Sequence, residues 1–162
     1  MRKIGLIIIA ALLISSLVGC DMIKKTFDKF QNATIGGEVD SDGRESYDGA
    51  SMTALSWDSE SLTVKIYNGT ESTWQSGNMK SYSLEAESDG VWREVTQIGE
   101  FANTMELMIF APDEELTHTF SFSGRYGRLP AGKYRVVKSF WANATEASEA
   151  HEFYLSCEFT VE

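Results

Sequence analysis

The run Tyr82-Ser83-Leu84-Glu85-Ala86-Glu87-Ser88-Asp89-Gly90-Val91-Trp92-Arg93-Glu94-Val95 decides how this chain folds. Tyr82, Leu84 and Ala86 share one face of an extended segment, and Ser83, Glu85 and Glu87 share the other. A two-residue period of this kind marks a half-buried strand. Asp89-Gly90 then interrupts it. This pair is a strong hairpin signal, because both central positions of a type I′ turn need positive φ, which Gly adopts freely and Asp tolerates. Val91 to Val95 returns as the second strand. An antiparallel hairpin with one apolar face must be covered by a second layer.

The same pattern continues in both directions. Upstream, Leu55 and Trp57 lie two apart. Leu62, Val64 and Ile66 alternate with Thr63, Lys65 and Tyr67 before an Asn68-Gly69 turn. Downstream, Met105 to Phe110 is a nearly continuous apolar run, compatible with a buried strand or a short helical turn. Leu116, His118, Phe120 and Phe122 share a face, and Tyr134 to Trp141 is the next strand. Phe153, Leu155, Cys157, Phe159 and Val161 then alternate strictly with polar residues and Tyr154. This pattern predicts an all-β chain, an antiparallel β-sandwich of seven to eight strands over roughly 110 residues, with a closed barrel as the alternative.

Before Ala50 the pattern is absent. Asn32 to Gly49 is polar, acidic and Gly-bearing, and reads as linker. Met22 to Phe30 carries Ile23, Phe27 and Phe30 among lysines; it reads as a tether, with a short amphipathic turn as the alternative. Arg2 and Lys3 precede an apolar run, Ile4 to Leu17, that is too short to span a bilayer and suits a signal-peptide core. It closes on Leu17-Val18-Gly19-Cys20, which resembles the lipobox of bacterial lipoproteins. The resemblance implies a diacylglyceryl thioether on Cys20, cleavage before it, and stable anchoring by two or more acyl chains. The expected organisation is a lipoprotein signal peptide over 1–19, a lipidated Cys and flexible tether over 20–47, and a sandwich domain over 48–162. In an enterobacterial-type Gram-negative cell Asp21 resembles an inner-membrane retention signal, and in a Gram-positive cell the question does not arise; the sequence leaves the envelope type open.

Loss of Arg2 and Lys3 with the leader takes the net charge from −10 to about −12. Nucleic acid, which needs a basic face, is therefore not an expected partner, and neither is a polybasic membrane-surface mode. With Cys20 lipidated, Cys157 has no disulfide partner, and apolar burial must supply the stability. The Asn-x-Ser/Thr triplets at Asn32, Asn68 and Asn143 would matter only in a eukaryotic secretory pathway.

Two stretches carry a family likeness. Leu129-Pro130-Ala131-Gly132-Lys133-Tyr134-Arg135-Val136 resembles the turn and tyrosine corner before the sixth strand of immunoglobulin-like sandwiches. The Tyr82 to Val95 hairpin and the Gly127 to Lys138 run are similar to bacterial Ig-like lipoprotein domains of Firmicutes. The resemblance covers about residues 48–162. It implies an Ig-like fold in which the Tyr134 hydroxyl bonds back to upstream backbone. The inter-sheet disulfide of antibody domains is missing, as is normal for such bacterial domains. The shared residues make turns and core, so they imply almost nothing about activity.

No nucleophile elbow, P-loop, H-E-x-x-H or C-x-x-C motif is present. His118 falls on the apolar parity of its strand, and His151 opens the last strand without a partner at metal-ligand spacing. Cys157 reads as a buried, inert thiol. Asp40-x-Asp42-Gly43 with Glu45 and Asp48 lacks the full ligand spacing of a calcium loop and reads as solvated linker. No metal, cofactor or enzymatic activity is expected. Trp57 and Trp92 read as core or sheet-face residues. Trp74, in the Asn68 to Asn78 segment, and Trp141, opening the 141–150 segment, fall in the two loops that would emerge at one end of an Ig-like sandwich, with Glu71, Glu146 and Glu149 nearby. The alternative is that both rings fold back on the core.

The leading expectation is a lipid-anchored protein on the extracytoplasmic face of the cell membrane. Its non-catalytic Ig-like domain would bind a protein or envelope component. The alternative is a carbohydrate- or peptidoglycan-binding module using Trp74 and Trp141. An enzyme or metal protein built on Asp40, Asp42, Glu45 and a histidine is the third and weakest reading.

Overall fold

The computed structural model describes residues 32–41, 43–99, 106–142 and 150–162. Cys20, the 22–30 tether, Asp42, Glu146 and Glu149 lie outside these residues. Ten strands are present among them: β1 (Thr34–Glu38), β2 (Ala50–Trp57), β3 (Ser61–Asn68), β4 (Trp74–Ser76), β5 (Ser83–Ser88), β6 (Val91–Thr96), β7 (Met108–Phe110), β8 (Glu115–Ser121), β9 (Gly132–Ala142) and β10 (His151–Val161). They form two antiparallel sheets. The smaller runs β2-β3-β8, and the larger runs β1-β6-β5-β9-β4-β7 with β10 beside β9.

The quoted hairpin forms as its sequence demands. Glu85 faces Glu94 and Ser88 faces Val91 across β5 and β6. Asp89 and Gly90 take φ of 57° and 78°, and the Glu87 carboxylate accepts the Gly90 N–H at 2.9 Å. The tyrosine corner forms too: the Tyr134 hydroxyl donates to the Pro130 carbonyl at 2.8 Å. This ties the start of β9 to the turn before it.

β9 organises the larger sheet. One edge pairs with β10 along its whole length, Gly132 opposite Val161 and Ala142 opposite His151. The other edge pairs with β5 through residues 134–137 and with β4 through residues 141–142. The turn 77–82 fills the gap between them. The Lys138 ammonium, buried on the inward face, donates to the carbonyls of Asn78 (3.1 Å) and Ser81 (2.9 Å) in that turn. The gap leaves these carbonyls without strand partners, which accounts for a charged donor inside the domain.

The core lies between the inward faces. Leu62, Val64, Ile66 and Phe120 come from the smaller sheet, and Leu84, Val136, Phe140, Phe153 and Phe159 from the larger. Their parity matches the alternation in the sequence.

The stretch read as linker behaves differently from expectation. β1 pairs with β6 at the edge of the larger sheet, Thr34 opposite Thr96, so the folded region begins well before residue 48. Residues 39–47 then cross the outer face of that sheet as a strap. The Val39 N–H donates to the Trp92 carbonyl at 3.0 Å, and the Tyr154 N–H donates to the Glu45 carbonyl at 2.8 Å. Tyr47 stacks on Phe153 at 4.9 Å. The strap buries Glu85, which alternation had assigned to the solvent face. Its carboxylate accepts Arg44 Nη1 at 2.6 Å, and Arg135 through Nε and Nη2 at 2.7 Å each. Linker composition hid these contacts, because a strap needs few apolar residues when one buried carboxylate and two arginines hold it.

Candidate functional site

The two tryptophans expected to form a loop site do not come together. Trp74 opens β4 and is fully buried. It stacks on Phe110 at 5.2 Å and meets Phe140 and Phe153 edge-on. Its indole N–H donates to Thr70 Oγ1 at 3.2 Å, and that hydroxyl donates to Asn68 Oδ1 at 2.7 Å. Asn68 in turn donates to the carbonyls of Ser72, Phe110 and Ala111. Trp74 is therefore a core residue with a satisfied donor, and it presents no ring to a ligand.

Trp141 is not in a loop. It lies on β9, opposite Gln75 and Glu152, and is half-buried. Trp74 pairs with Ala142, one residue further on. Adjacent positions of a strand point to opposite faces, so the two rings lie on opposite sides of one sheet.

Among the described residues, no three His, Cys, Asp or Glu side chains converge as a metal ion needs. His118 is half-buried with its ring edge-on to Phe120 at 4.8 Å. Burial first, and then the Lys138 charge, hold its pKa below the ordinary value. His151 Nε2 lies 3.6 Å from the exposed Glu45 carboxylate. Cys157 is a buried free thiol, and burial raises its pKa. An electropositive, partly exposed setting, which activates thiols, is absent here.

A concavity lies at the other end of the sandwich, where the β2–β3 turn, the tyrosine-corner turn and the end of β10 meet. It is a groove of about 730 Å³ bordered by Asn32, Trp57, Asp58, Ser59, Arg128 and Thr160. Trp57 reaches it through a β-bulge. Ala54 pairs with Val64 and Ser56 with Thr63, so Leu55 is left without a partner. The bulge inverts the parity of the strand end. Trp57 comes to oppose the inward-facing Leu62, although Leu55 and Trp57 are two apart in sequence. At the edge of the smaller sheet it spans the two sheets, its Nε1 donating to the Thr160 carbonyl of β10 at 2.8 Å. The ring stays 47% exposed.

The walls are held by short-range chemistry. Asp58 Oδ1 accepts the N–H groups of Glu60 (2.7 Å) and Ser61 (2.8 Å), an Asx turn that fixes the β2–β3 connection. The Leu129 N–H donates to the Ser59 carbonyl at 2.9 Å and joins the two turns. Arg128 Nε donates to Ser59 Oγ at 3.0 Å, which sets the plane of an exposed guanidinium. Asn32 bridges to Arg128, and the Ala33 N–H donates to the Arg128 carbonyl at 2.9 Å. The groove thus carries one oriented aromatic ring and three planar polar side chains on a rigid frame. A single sequence carries no sign of the bulge, so Trp57 read as an ordinary strand residue. Nothing in the Gly127 to Lys138 run set Arg128 apart.

A two-sheet antiparallel sandwich with a tyrosine corner is the architecture of immunoglobulin-like domains. The profile of the bacterial Ig-like domain family matches residues 50–154, and the chain belongs to that family. No curated protein matches the sequence. Domains of this family are generally non-enzymatic binding or surface modules. β1, the strap and residues 155–161 of β10 fall outside the matched residues.

Proposed function

We propose that this protein is a membrane-anchored lipoprotein whose Ig-like domain binds a protein or envelope component on the extracytoplasmic face of the cell membrane. The observation that carries the reading is the Leu17-Val18-Gly19-Cys20 run behind a basic start and a short apolar segment, followed by a domain of a generally non-enzymatic family. The thiol of Cys20 is the acceptor for the lipid, and the acyl chains hold the domain at the bilayer. The test is Cys20→Ala, followed by detergent phase separation and in-cell crosslinking. The wild type should partition into detergent and capture an envelope partner. The variant should move to the aqueous phase. An unchanged partition would remove the anchor from this reading.

Glycan binding is the second reading. The burial of Trp74 and its separation from Trp141 take away the site first expected for it. The exposed, oriented ring of Trp57 supports it at the opposite end of the domain.

A further inference from the structure

We propose that the groove at Trp57 is a binding site for an uncharged saccharide, an inference that rests on reading the chain as a binding module and names the ligand class. The argument begins with the ring. Its N–H is already bonded to the Thr160 carbonyl, so what the indole offers a ligand is its π-face. The C–H face of a pyranose complements that surface, being apolar, flat and weakly positive at its hydrogens. Around the ring stand an amide (Asn32), a carboxylate (Asp58), a hydroxyl (Ser59) and a guanidinium (Arg128). With Asp58 Oδ1 and Arg128 Nε already bonded within the frame, the second carboxylate oxygen, the terminal guanidinium nitrogens and the Asn32 amide supply the acceptors and donors for adjacent sugar hydroxyls. A volume of about 730 Å³ lies within the range of small-molecule sites and suits a few sugar rings.

Two other ligand classes fit less well. A peptide adding as a strand to β10 would need the Thr160 carbonyl, and Trp57 already occupies it. A polyanionic glycan would meet Asp58 beside Arg128 on a chain of net charge −10, so like-charge repulsion disfavours it. The frame is prepared in advance. The Asx turn at Asp58, the Leu129–Ser59 bond and the Trp57–Thr160 bond hold the lining before any ligand arrives, which lowers the ordering cost of binding.

The test uses the full chain in detergent micelles, titrated calorimetrically with tetramers of β-1,4-linked N-acetylglucosamine and of β-1,4-linked glucose. The expected result is saturable binding of at least one tetramer, weakened about tenfold or more in Trp57→Ala. Because Trp57→Ala also removes a bond between the sheets, Arg128→Leu serves as a second variant that leaves that bond in place. It should weaken binding while lowering the thermal midpoint less than Trp57→Ala does, since it removes only the exposed bond to Ser59 Oγ. Absence of saturable binding to both tetramers in the wild type would overturn the proposal, and so would wild-type affinity in both variants. In-cell crosslinking separates the two levels of the argument. A captured envelope protein without saccharide binding leaves the binding-module reading standing and discards this groove. Saccharide binding without a protein partner does the reverse for the protein-partner reading.

Discussion

Glu85→Ala is the sharpest perturbation the fold offers. Glu85 is 1% exposed, and its two oxygens take Arg44 from the strap and Arg135 from β9. Arg135 also lies over the Trp92 ring, 4.3 Å from its centre, and donates to Ser41 Oγ at 3.1 Å. Removing the carboxylate leaves two guanidiniums with no anion between them. Truncating one partner of a buried ion pair costs about 3–5 kcal/mol. The Arg44 and Arg135 side chains keep 24% and 14% of their surface exposed, so water recovers part of the loss and the expected cost is about 3 kcal/mol. Arg44→Ala leaves Glu85 paired with Arg135 and should cost about 1.5 kcal/mol, one charge-assisted bond. Urea unfolding at neutral pH measures both. Hydrogen exchange reads the strap directly, because the amides of Val39 and Tyr154 are bonded across it and should lose protection in both variants. A triple replacement, Glu85→Leu with Arg44→Met and Arg135→Met, should recover most of the stability lost in Glu85→Ala, since it removes the uncompensated charge. Two results would refute the reasoning: a Glu85→Ala cost below about 1 kcal/mol, or a triple variant no more stable than Glu85→Ala.

Stability should rise from about pH 8 and fall again above pH 10. Burial lowers Lys138 from 10.5 to about 8. In that window the unfolded chain binds the extra proton, so rising pH favours the fold, by on the order of 3 kcal/mol at most. Burial raises Tyr126 from 10.0 to about 12 and raises Tyr82 as well. The folded state then keeps protons that the unfolded state gives up, and stability drops as pH climbs through 10. Thermal melts across pH 7 to about 11 would show this dome, and Lys138→Met should lose the rising limb. Tyr134→Phe should cost about 1 kcal/mol by removing the bond to the Pro130 carbonyl, read by urea midpoint at constant slope. Asn68→Ala should cost about 3 kcal/mol or more, because the carbonyls of Phe110 and Ala111 and the Thr70 hydroxyl all lose a partner. A loss below about 1 kcal/mol would show that water replaces the amide. Cys157 should resist a thiol reagent in the native state and react on unfolding, because its thiol is buried and its pKa raised.

Local chemistry was legible in the sequence wherever it acts within a few residues. Alternation placed the central strands, and Asp89-Gly90 placed the hairpin. Pro130, Gly132 and Tyr134 placed the corner. Each rests on a backbone preference or a two-residue period, which neighbouring side chains settle on their own. The proposed leader and lipidation at Cys20 rest on a contiguous run and lie outside the described residues. The tertiary structure alone decided three further matters. It buried Glu85 beneath a strap that composition had marked as linker, because two arginines distant in sequence converge on one carboxylate. It placed Trp74 and Trp141 on opposite faces of one sheet, because β4 joins β9 one residue out of step with a shared loop site. It turned Trp57 toward the groove, because one unpaired residue, Leu55, inverts the parity of the strand end. Such outcomes depend on pairing partners far away in the chain, and a bulge or a strap leaves the local pattern nearly unchanged while moving side chains into new surroundings.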